Sequence, residues 1–128
     1  MALVSVGVIL SCYPFLKYRH AIESVSTPFD SGEYALASRK SQAYLNDYSD
    51  LEQVLLGTFI GHTPTTFFLK TIGICEYKQK NYTEAIEAFN KLVKYAKKSP
   101  YPQDQENVTF GEKILRKIGN QIDGGRLD

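Results

Sequence analysis

The chain has 128 residues, 43% of them hydrophobic and 23% charged, which suffices for one domain that buries its own core without metals or disulfides. A formal net charge of +1 removes any global bias toward nucleic acid or an anionic membrane. Two cysteines, Cys12 and Cys75, are too few and too far apart for a disulfide framework or a zinc site, so a reducing compartment is the simpler expectation.

Residues 1–16 contain no charged side chain, and Leu3, Val4, Val6, Val8, Ile9 and Leu10 make them the most apolar run of the chain. Pro14 interrupts the run short of the ~20 residues that span a bilayer, and no basic residue precedes it as in a secretory signal. Residues 1–14 are therefore expected to form an apolar arm that covers the domain's own surface or joins copies into a homo-oligomer. Ile9-Leu10-Ser11-Cys12 loosely matches a bacterial lipoprotein box, an alternative in which Cys12 is lipidated. From Pro14 a first helix is predicted, with Phe15, Tyr18, Ile22 and Val25 on one face. Residues 26–32, which include Pro28 and Gly32, read as a turn. His20, among Arg19 and polar positions, reads as a solvated residue.

A helix is predicted from Glu33 to about Leu45, broken by Asn46-Asp47-Tyr48-Ser49-Asp50, and the next segment places Leu51, Val54, Leu55, Thr58 and Phe59 on one helical face before Gly61, His62 and Pro64 end it. These two helices are expected to fold back on each other as a hairpin. Residues 69–98 give a second hairpin. Leu69, Ile72, Gly73 and Tyr77 share one stripe; Asn81 and Glu84 form a capping-box pair; Tyr82, Ala85, Ile86, Phe89, Leu92, Val93 and Ala96 then recur at three and four. The acids Glu84 and Glu87 come early and Lys91, Lys94, Lys97 and Lys98 late, as the helix dipole favours. Gly73 is expected to touch Ala85. After the Pro100 loop, Val108, Gly111, Leu115, Ile118 and Ile122 make the stripe of a capping helix that Gly124-Gly125 should end.

The large and small residues of the second hairpin match the tetratricopeptide repeat, and Leu36-Ala37 precedes Ile72-Gly73 by 36 residues, close to that repeat's period. The expected fold is an all-α, tetratricopeptide-like right-handed helical array of about six helices. It forms one domain over 1–128, with an arm at 1–14, a first repeat at 33–61, a second at 66–98 and a capping helix at 104–123. Stacked repeats curve, and the first helix of each lines the concave side. Registering Gly73 at the small-residue position turns Phe67, Lys70, Ile74 and Tyr77 toward that groove, and the same offset adds Tyr34, Ser38 and Ser41. No HExxH, CxxC, phosphate-binding glycine loop or nucleophile elbow occurs. The expectation is a non-catalytic protein-interaction scaffold with no cofactor, no metal and no nucleic-acid partner. The sequons at Asn81 and Asn107 are read as chance matches.

The helix order, the Glu33-Tyr34-Ala35 opening, the Gly73–Ala85 unit and the overall length resemble the tail-anchored organelle fission adaptor family. The resemblance implies the cytosolic domain of an adaptor on the mitochondrial outer membrane and peroxisomes. It would recruit a dynamin-like GTPase, directly or through another adaptor, by its concave groove, with the N-terminal arm as a regulatory cover. It also implies a C-terminal membrane anchor beyond Asp128, so that the chain itself is a soluble part of a longer protein. The alternatives are a generic tetratricopeptide adaptor within a larger assembly and a bacterial lipoprotein of the same repeat.

Overall fold

The computed structural model describes the backbone of residues 2–123 and the side chains of residues 12–122. Six helices and no strand make up the described residues: α1 (Ala2–Asp30), α2 (Tyr34–Tyr44), α3 (Asp50–Ile60), α4 (Pro64–Lys78), α5 (Tyr82–Lys97) and α6 (Pro102–Asp123). Among them no helix is long and apolar enough to cross a membrane. The expected stop at Gly124-Gly125 and the side chains of the N-terminal arm lie outside the described residues.

The first helix departs from the sequence expectation at both ends. It begins at Ala2 rather than at Pro14, and it continues through the expected turn to Asp30, with Pro14 and Pro28 both inside it. An internal proline removes one N–H and strands the carbonyl four residues earlier. At Pro28 that carbonyl belongs to Ser24, and the Lys40 ammonium of α2 donates to it (3.4 Å) and to the Ser24 hydroxyl (3.3 Å). The helix then closes in a Schellman motif: Glu33 N–H donates to Pro28 O (2.8 Å) and Gly32 N–H to Phe29 O (3.1 Å), with Gly32 at φ +79°. The turn chemistry is real but sits one helical turn later.

Helix α3 carries a capping box the sequence reading missed: Glu52 N–H donates to Ser49 Oγ (3.2 Å) and Ser49 N–H to Glu52 Oε1 (3.0 Å). The capping box expected at Asn81 and Glu84 does not form. Asn81 makes no side-chain cap; its amide donates instead to Glu76 Oε2 (2.8 Å), while Ser38 donates to Oε1 of the same buried carboxylate (2.7 Å). Glu76 therefore ties α2, α4 and the start of α5 together.

The helices pack in the order α2, α4, α5, α6, with α1 against α2 and α3 resting on α1 and α4. The α4–α5 hairpin forms as expected. The expected α2–α3 hairpin does not, because the two helices are not packed along each other. The connection between them enters the core: Tyr48 is buried, edge-on to Tyr18 (5.8 Å) and stacked on Phe68 (6.1 Å). That carries α3 across to α1, where Phe15 meets Phe59 (5.9 Å) and Lys17 pairs with Glu52 (3.3 Å).

Among the described residues two clusters form the core. Tyr18, Val25, Ala37, Leu56, Phe68 and Cys75 hold α1–α4 together, and Leu69, Ala85, Phe89, Leu92 and Ile118 hold α4–α6. Gly73 does admit a close approach, and the nearest group is the Phe89 ring: a Cβ at Gly73 would sit 2.7 Å from Phe89 Cζ. Along α6 the expected stripe holds at Gly111, Leu115 and Ile118, whereas Ile122 is exposed.

Candidate partner-binding groove

Helix α4 has two unlike faces. Phe68, Leu69, Ile72, Gly73, Cys75 and Glu76 are buried against its neighbours. Phe67, Lys70, Ile74 and Tyr77, stepping by three, four and three, are only half-buried. Beside this second face the last turns of α1 raise a wall, leaving an open groove of ≈ 340 Å³ lined by Ser26, Phe29, Asp30, Phe67, Lys70, Thr71 and Ile74.

Four of the lining groups are held by defined contacts. Phe67 packs edge-on to Phe68 (5.2 Å) and Tyr18 (5.9 Å), and Phe29 edge-on to Tyr34 (5.6 Å). The Thr71 hydroxyl donates to Phe67 O (2.9 Å). Lys70 lies over the Phe110 ring of α6 (4.6 Å), so its ammonium stays at the groove margin, across from the exposed Asp30. An apolar floor between one cation and one anion suits a helix or extended segment whose anchors are apolar and whose flanks carry both charges.

Of the seven residues the sequence places in a groove, Phe67, Lys70 and Ile74 are brought together there. Tyr34 reaches it only through Phe29. Ser38 and Ser41 are buried between α2 and α4, Ser38 on Glu76, because α2 turns that face to α4 rather than to open space. Tyr77 belongs to the other end of α4, edge-on to Tyr82 (5.8 Å) and under Lys117 (5.6 Å). Ser26, Phe29, Asp30 and Thr71 were missed. The stripe of Phe15, Tyr18, Ile22 and Val25 continues to Phe29 at the same spacing, but Pro28 and Gly32 read as a stop before it.

The lysine edge of α5 is partly neutralised: Lys91 pairs with Glu87 (3.1 Å) and Lys97 with Glu112 of α6 (3.4 Å). Among the described residues no three His, Cys, Asp or Glu side chains converge as metal ligands would.

Behind the groove, His62 is a structural hub that spacing did not reveal. The Gln103 carbonyl oxygen lies 2.8 Å from Nδ1 and the Tyr18 hydroxyl 2.9 Å from Nε2, so an Nδ1–H ring donates to Gln103 and accepts from Tyr18. Burial holds the His62 pKa below the usual 6.5. The unfolded chain then takes up this proton first as pH falls, so the stabilisation is complete above about pH 6.5 and is lost as pH drops through the folded value. The melting temperature is expected to fall from pH 7 to pH 5. His62→Gln should flatten that part of the profile, and a variant profile parallel to the parent's would contradict the assignment.

An all-α array with one helix face left open along α4 is the class of protein that the fold and groove define. No family model, curated protein or solved structure matches the chain.

Proposed function

We propose that the chain is a non-catalytic scaffold that docks a helical or extended segment of a protein partner in the groove between α1 and α4. The observation that supports this is the juxtaposition of Phe29, Phe67 and Ile74 with Lys70 and Asp30 along two helices, with Phe29, Phe67 and Lys70 each held by a neighbouring ring. Ile74→Glu places a carboxylate on the apolar floor. It is expected to weaken partner binding at least tenfold, read by calorimetry, with the far-ultraviolet circular dichroism unchanged. Full affinity in that variant would remove the groove from the interface.

The narrower reading is a tetratricopeptide-like adaptor of organelle fission, recruiting a dynamin-like GTPase at the cytosolic face of mitochondria and peroxisomes. The α4–α5 hairpin with its Gly73 contact and the six-helix order support it, while the missing α2–α3 hairpin counts against it. Titrating a purified dynamin-like GTPase onto the chain tests it. Saturable binding that Ile74→Glu removes favours the adaptor reading, and absence of binding rejects it while leaving the general scaffold open.

A further inference from the structure

A second apolar surface lies away from the groove, where α1 emerges past α3. Cys12, Phe15, Leu55 and Phe59 line an open cleft of ≈ 480 Å³. Around it large hydrophobic side chains face solvent: Phe59 is 73% exposed, Leu51 68%, Leu16 63% and Tyr13 60%. This cleft is continuous with the charge-free run of residues 1–16, whose backbone from Ala2 onward belongs to the same helix.

From this continuity we infer that the beginning of α1, together with the Phe15–Phe59 cleft, embeds in one leaflet of a lipid bilayer. Two features favour lipid over a second copy of the chain. Leu3, Val6 and Leu10 step by three and four on one stripe, but Val4, Val8 and Ile9 fall outside it, so the apolar positions are spread around the helix. A helix apolar on all sides suits an environment that surrounds it, whereas a helical partner covers a single stripe. Finally, the boundary has interfacial chemistry, with exposed Tyr13 followed by Lys17, Arg19 and His20.

The first two cations are already engaged. Lys17 pairs with Glu52 (3.3 Å) and donates to Asp47 O, and Arg19 pairs with Glu23 (3.2 Å). Attachment therefore runs on apolar burial and needs no anionic lipid.

The test uses the full chain and vesicles of phosphatidylcholine alone. Cys12 is exposed, whereas Cys75 is buried and its thiol pushed up to about 11, so a thiol-reactive, environment-sensitive fluorophore goes to Cys12. The expected result is flotation of the chain with the vesicles and a blue-shifted, brightened Cys12 probe. Phe59→Glu and Ile9→Glu should each cut the floated fraction at least tenfold with the far-ultraviolet circular dichroism unchanged, and the groove variant Ile74→Glu should float like the parent. Phe59 is solvent-facing, so its substitution leaves the core intact, and Ile9→Glu reads the same attachment independently. A chain that stays in the aqueous fraction overturns the inference. So does a dimer in solution that the same two substitutions dissociate, since a second copy would then cover the surface.

Discussion

Phe89→Ala is expected to lower the unfolding free energy by about 3–5 kcal/mol, the range for emptying an aromatic site in a close-packed core. Phe89 is fully buried, presses its ring onto Gly73 of α4 and meets Phe110 of α6 edge-on (6.0 Å), so its loss opens a cavity where three helices meet. Urea unfolding should show the midpoint falling with the slope unchanged. The glycine gives a sharper form of the prediction. Gly73→Ala gains up to about 1 kcal/mol of helix propensity, but its methyl would sit 2.7 Å from Phe89 Cζ, and that ring has no room to retreat. Alone it should destabilise by about 1–2 kcal/mol through overpacking; combined with Phe89→Ala it should turn neutral or favourable. Additive losses in the double variant would mean that the two residues do not share the contact.

Asp104→Ala should cost about 3 kcal/mol, because hydrogen bonds to a charged group contribute more than neutral ones and their loss strands buried donors. The Asp104 carboxylate, fully buried in the first turn of α6, accepts from Thr66 (2.5 Å), Ser99 (2.6 Å) and Thr63 (3.5 Å). Those hydroxyls come from the start of α4 and the α5–α6 loop, so one side chain fastens α6 to the rest of the array. The negative charge also sits where the dipole of α6 favours it. Thermal melting of Asp104→Ala and Asp104→Asn measures the effect. A loss below about 1 kcal/mol, the usual range for a neutral pair, would show that the cage adds little.

The helices were legible where burial alternates with exposure at helical spacing. Helix α5 is the clearest case, with Ala85, Phe89, Leu92 and Ala96 buried and the lysines of its last turns exposed. Two other features were misread for physical reasons. Pro28 looks like a terminator because local rules count the N–H it lacks; the compensating donor, Lys40, comes from another helix and cannot be seen in a local window. Asn81 and Glu84 have the residues of a capping box, but Glu76 captures the asparagine amide first, while Ser49 and Glu52 form the box that was overlooked. The groove was half legible. Its α4 floor followed from one helix's periodicity, whereas its α1 wall was hidden because Pro28 and Gly32 read as a stop before Phe29, although α1 continues to Asp30.

The most direct measurement of the docking claim is site-specific photocrosslinking in the living host, with a benzophenone side chain placed singly at Ile74 and, as a control on the solvated face of α5, at Glu87. The groove account predicts a discrete adduct from position 74 that Lys70→Glu suppresses, and none from position 87. Equal adducts from both positions, or an adduct from 87 alone, would contradict it.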